Sequence, residues 1–131
     1  MLSQKEIEIM TKYAWSLVGT PYKLGGNVPQ DGGMDCSAVA LELMRAVGKW
    51  GTDDANVQMI WSKLGAAFGR GNVATREGDF LLFGKSLMEL THISYAIDGI
   101  WMLEAGGTDK TGMVRPRPQT WRKDLVAVIR L

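Results

Sequence analysis

One cysteine, Cys36, and one histidine, His92, occur in the 131 residues of this chain. A thiol and an imidazole both titrate near neutrality, so together they can attack an acyl group and handle the proton that the attack requires. The same scarcity excludes other chemistry. One cysteine cannot close an internal disulfide, and one Cys plus one His falls short of the three or four ligands of a usual zinc site. No cofactor or metal is expected, and a Cys–His enzyme encoded here can use no other pair.

The surroundings of Cys36 favour a nucleophile over a buried apolar filler. Asp35 suits a helix N-cap, Val39, Ala40, Leu43 and Val47 recur at helical spacing, and Gly48 supplies the stop. Cys36 then falls in the first turn, where unpaired N–H groups and the positive end of the helix dipole lower a thiol's pKa. Its own N–H is a candidate oxyanion donor. Ahead of it runs Gly19-Thr20-Pro21-Tyr22-Lys23-Leu24-Gly25-Gly26, followed by Gly32-Gly33-Met34. Tyr22, after a turn-setting proline, is placed either in the cleft beside Cys36 or as a closure of the core.

The elements that must position this pair follow from periodicity and punctuation. Ser3 and Glu6 form a capping-box pattern, and Ile7, Met10, Ala14, Leu17 and Val18 make one face of a helix ending at Gly19. A second helix starts at Asp35, and a third is expected from Thr52 or Asp53 to Leu64, closed by Gly65. After Gly71 the pattern turns extended. Gly78-Asp79 introduces the apolar run Phe80 to Phe83, residues His92 to Ile97 and Ile100 to Ala105 flank a hairpin signal at Asp98-Gly99, and Leu125 to Ile129 gives a last strand. Arg115-Pro116-Arg117-Pro118 reads as an extended connection. Helices first and strands afterwards predict an α+β fold, with N-terminal helices packed on a C-terminal antiparallel sheet in a single domain over 1–131.

In that order and spacing, Gly19-Thr20-Pro21-Tyr22 with Gly25-Gly26, then Asp35-Cys36-Ser37, then Gly78-Asp79 before an apolar strand, then His92 opening another, resemble the NlpC-type cysteine peptidases. These are papain-like hydrolases of bacterial cell-wall peptides, and the resemblance runs from about Ala14 to Gly106. It implies that Cys36 is the nucleophile and His92 the general base. It also implies that Tyr22 lies near the nucleophile, and that Asp35 and Ser37 help hold the amino end of a peptidoglycan stem peptide. The bond implied is that between γ-D-glutamyl and a diamino acid. Ala38 departs from the glycine usual after the Cys-Ser pair, and the third catalytic residue, more often His, Asn or Gln, calls for its own argument.

A Cys–His site needs a group to accept the second ring proton of the imidazole. The resemblance places that group on the next strand, where Glu104 follows His92 by twelve residues, and it serves if the hairpin register brings it to the face of His92. A two-residue loop would set Glu104 among Ile93, Tyr95 and Ile97, an unpaired carboxylate in an apolar layer. A three-residue loop, Asp98-Gly99-Ile100, puts it diagonal to His92, with Ser94, Ala96 and Met102 on the same face. The three-residue loop is the expected one.

Lys and Arg number 15 against 14 Asp and Glu, a formal charge of +1. No global basic field is present to draw nucleic acid. No stretch is long and apolar enough to span a membrane, and Met1 to Ile7 lacks the apolar run of an export signal. This pattern suits action on the wall after lysis, virion delivery or injection, with a phage tail or a secretion system as a partner. Two other readings stay open, an acyltransferase or amidase on the same scaffold and an inactive tail-assembly or binding module. Trp15, Trp50, Trp61, Trp101 and Trp121 are expected in the core or its rim. Lys110, Arg115, Arg117, Arg122 and Lys123, interleaved with Asp109 and Asp124, are expected to form a solvated basic face.

Overall fold

A computed structural model describes residues 1–26, 33–65, 74–106 and 112–131. Helix α1 spans Gln4–Ser16 and begins with the reciprocal cap: Ser3 Oγ accepts from the Glu6 N–H at 3.1 Å, and Glu6 Oε1 accepts from the Ser3 N–H at 2.9 Å. It buries Met10 and Ala14, with Leu17 buried just beyond its end. Helix α2, Cys36–Ala46, starts where Asp35 accepts from the Ala38 N–H at 2.8 Å, and it buries Val39, Ala40, Leu41, Leu43 and Met44. Helix α3, Val57–Leu64, begins later than the expected Thr52 or Asp53. Asn56 carries its cap, accepting from the Met59 N–H at 2.9 Å. The Asp53 carbonyl instead accepts from the Arg45 guanidinium and the Trp50 indole, both at 2.9 Å, which holds that stretch outside a helix.

Five strands follow, β1 (Phe80–Ser86), β2 (Glu89–Ala96), β3 (Trp101–Gly106), β4 (Met113–Pro118) and β5 (Leu125–Ile129), with a 3-10 turn at Gln119–Trp121. They form one antiparallel sheet in the order β4-β3-β2-β1-β5. The expected connection Arg115 to Pro118 is therefore a strand, β4. It lies at the sheet edge, where a proline's missing N–H costs no ladder bond if it faces outward.

One face of the sheet meets the helices through Phe80, Leu82, Ile93, Tyr95, Leu103 and Ala127. Phe80 and Tyr95 meet edge to face at 5.4 Å, and aliphatic side chains fill the rest. Of the tryptophans expected in the core or its rim, Trp50 and Trp61 pack partly buried against it, whereas Trp15 and Trp101 are each 46% exposed and Trp121 59%. Leu81, Phe83, Ala96 and Met102 make a smaller apolar cluster on the opposite face, where the buried polar residues His92, Ser94 and Glu104 also lie.

Asp79 ties the start of β1 to the end of β5. It is 1% exposed and takes Arg130 Nε and Nη2 at 2.8 Å each, with the Arg76 N–H at 2.9 Å. Removing one partner of so buried a pair leaves an uncompensated charge. Asp79→Ala is expected to cost about 3 kcal/mol in urea unfolding, while an unchanged midpoint would show that the bridge is dispensable. No helix among the described residues is long and apolar enough to cross a membrane.

Candidate active site

Two loop segments press together to launch α2. Tyr22 bridges Met34 and Pro21 bridges Met113. A Cβ on Gly26 would stand 2.2 Å from the Gly33 carbonyl oxygen, and one on Gly33 would stand 2.4 Å from that of Pro21. Backbones can approach this closely only without side chains. The contact lets the Asp35 N–H donate to the Gly26 carbonyl and the Gly25 N–H donate to Asp35 Oδ2, both at 3.1 Å. Asp35 is thereby fixed, and Cys36 follows as the first helical residue. Gly32 of the same motif lies outside the described residues.

The opposing wall depends on the β2–β3 register. Tyr95 pairs with Leu103 and Ala96 with Met102, and the Ile97 N–H donates to the Trp101 carbonyl at 3.0 Å. This is the register of the three-residue loop, in which Asp98 Oδ1 accepts from the N–H groups of Ile100 and Trp101, each at 2.7 Å. Glu104 consequently shares the face of His92. Its Oε2 lies 2.7 Å from His92 Nε2, with both side chains buried. With Nε2 committed to Glu104, Nδ1 is the ring nitrogen left to meet the Cys36 thiol, which acts on the ring as its other partner.

Electrostatics couple the three groups. Burial alone would push the His92 imidazolium down, but the hydrogen bonds and charges of Cys36 and Glu104 outweigh it and raise the ring to about 9. Burial likewise works to raise Glu104, yet His92, Arg117 and Arg122 hold its carboxyl below the usual range. Because the folded value of His92 lies above the ordinary 6.5, its contribution to stability is complete below that pH and is lost as pH rises through about 9. The melting temperature is expected to fall across that window, and the fall to vanish in His92→Gln. A wild-type melting temperature that stays level there would contradict the coupling.

Cys36, His92, Glu104 and Tyr22 meet at one cavity of about 500 Å3. Tyr22 forms part of its wall, and burial, then the nearby charges of Cys36 and Asp35, raise its phenol. Asp35 and Ser37 are not among the lining residues. They stand beside it, with Ser37 Oγ donating to Asp35 Oδ1 at 3.0 Å. Among the described residues, no cluster of three or more His, Cys, Asp or Glu could hold a metal ion.

The same cavity takes in three residues that the sequence did not assign to a site, Arg117, Trp121 and Arg122. The expected solvated basic face is corrected here. Arg117 Nε lies 2.9 Å from Glu104 Oε1, its guanidinium stacks 4.0 Å from the ring centre of Trp121, and its side chain is 18% exposed. Arg122 binds Asp124 through two contacts of 2.9 and 2.7 Å and reaches over Phe83. The period-two spacing of Arg115 and Arg117 between prolines was the available signal, and a strand there puts both on one face. Asp109 and Lys110 of that run lie outside the described residues.

A sequence profile of the NlpC/P60 family matches residues 19–130. No curated protein matches the sequence. Among solved structures, the NlpC/P60 domain of the peptidoglycan hydrolase SagA is similar at 23% identity and a TM-score of 0.71, covering 92% of this chain and 97% of that one. A lipoprotein-like Staphylococcus aureus protein of the NLP/P60 family is 17% identical with a TM-score of 0.72, over 98% of this chain and 42% of that one. The peptidoglycan hydrolase RipB of Mycobacterium tuberculosis is 21% identical with a TM-score of 0.67, over 95% of this chain and 64% of that one. The chain thus spans less than half of the staphylococcal protein.

Proposed function

The chain belongs to the NlpC/P60 family, and from that premise we propose that it is a cysteine peptidase hydrolysing an amide bond in peptidoglycan stem peptides. The observation that carries this reading is the line from the Cys36 thiol through the His92 ring to Glu104, opening on one cavity. The Cys36 thiolate attacks the carbonyl carbon, and the charge that develops on oxygen is met by the Cys36 N–H at the head of α2. The C–N bond breaks as the His92 imidazolium gives its proton to the leaving amine. A water then loses a proton to His92 and attacks the thioester, releasing the acid and restoring the thiolate. Glu104 keeps the ring in place and favours its charged form throughout.

Tyr22 and Trp121 form walls for the peptide. Asp35, though it caps α2 and binds Ser37 and Gly25, has a carboxylate's about four acceptor positions, which leaves capacity for a substrate ammonium. The bond this reading proposes is that between γ-D-glutamyl and a diamino acid. Digestion of purified wall fragments, followed by mass spectrometry, tests the reading. The expected products carry a new carboxylate and a new free amine at that bond. A product capped by an added amine would instead indicate transfer, and intact fragments would overturn the enzyme in favour of a binding module.

A further inference from the structure

Glu104 divides its two oxygens. Oε2 serves His92 at 2.7 Å, and Oε1 stands 2.9 Å from Arg117 Nε. The second contact is close in distance, but its N–H is not aimed at the oxygen, so it acts as a charge pair. Gly106 leaves room for it, since a Cβ there would come within 3.3 Å of Oε1. The groups facing this carboxylate are His92 from β2, Arg115 directly across the register and Arg117 from β4, Arg122 with its partner Asp124 before β5, and Cys36 from α2. Arg122 already gives its fork to Asp124, whereas Arg117 touches both Glu104 and the exposed cavity wall Trp121.

We propose that Arg117 is a positioning residue for the peptidase chemistry, holding Glu104 by its second oxygen so that the first stays on His92, and bracing Trp121 as a wall of the substrate cavity. This rests on the reading of Cys36 and His92 as the attacking pair. A carboxylate torsion is broad, so one anchored oxygen leaves the other free to swing, and a second anchor removes that freedom. The planar guanidinium can stack on an indole and pair with a carboxylate at once, which an ammonium cannot do. Removing a cation beside several acids favours the protonated form of each.

The test reads the pH dependence of Cys36 alkylation by iodoacetamide, which needs no substrate and reports the chain's lone thiol. Arg117→Met is expected to move the acid-side midpoint to higher pH by about one unit. Arg117→Lys keeps that midpoint and lowers kcat for fragment cleavage by about tenfold, because charge is retained while the planar group that packs between Trp121 and Glu104 is lost. Trp121→Ala raises KM and leaves the alkylation profile in place. An Arg117→Met protein with wild-type midpoints and only a lower melting temperature would reduce Arg117 to a structural role and overturn the proposal. If the Met variant does not fold, Arg117→Lys decides: wild-type kcat overturns the proposal and a reduced kcat supports it. Wild-type Cys36 that alkylates no faster than a free thiol at mildly acidic pH would remove the peptidase reading itself, and this proposal with it.

Discussion

Cys36→Ala is expected to abolish fragment cleavage, with a fall of about five orders of magnitude or more in kcat, while the fold stays intact. The chain contains no second thiol that could substitute. The stability side follows from the local structure. Asp35 still caps α2 through the Ala38 N–H, alanine is a strong helix former, and Cys36 is only partly buried. Loss of its sulfur should therefore shift unfolding by no more than about 1 kcal/mol. Cys36→Ser makes the sharper comparison. It keeps the shape but replaces a thiol with a hydroxyl that ionises only at far higher pH, so His92 loses an anionic partner and cleavage falls nearly as far. Cleavage by the alanine variant at a rate near wild type would mean that the attacking group lies elsewhere.

Glu104→Gln is expected to lower kcat by about two to four orders of magnitude and to move the alkaline limit of activity downward. A neutral amide can still accept from the His92 ring, so the ring orientation survives in part. The charge does not. The carboxylate helps raise His92 to about 9, and without it the imidazolium that must protonate the leaving amine gives up its proton nearer the ordinary 6.5. The change also leaves Arg117 without its anion in a mostly buried site. A loss of about 3 kcal/mol in stability is expected on that ground, and adding Arg117→Met should restore part of it. A pH profile that keeps its alkaline limit in Glu104→Gln would remove the carboxylate from the mechanism.

Local signals in the chain are legible where a residue's partner lies within a turn. The Ser3–Glu6 box and the Asp35 cap depend on backbone groups three residues away, and both form. The hairpin register is also legible, because the two-residue alternative strands a carboxylate in an apolar layer. The start of α3 is not legible, because Asp53 and Asn56 are both good caps and Arg45 and Trp50 decide between them by claiming the Asp53 carbonyl. β4 was hidden by its prolines, which are tolerated only once a neighbouring strand makes the segment an edge. That strand then turns Arg117 inward against Glu104, and the turn after it brings Trp121 and Arg122 to the same cavity. A run of alternating charges carries no mark of such burial, since the burial comes from pairing with β3 and not from the run itself.

The single histidine makes the most direct measurement simple to read. In a proton NMR titration the imidazole ring signals belong to His92 alone. If the Cys36 thiolate and Glu104 hold the ring as imidazolium, its midpoint lies near 9 in the wild type and drops in both Cys36→Ser and Glu104→Gln. A wild-type midpoint at the ordinary 6.5, unmoved by either substitution, would contradict a preformed thiolate–imidazolium pair at the head of α2.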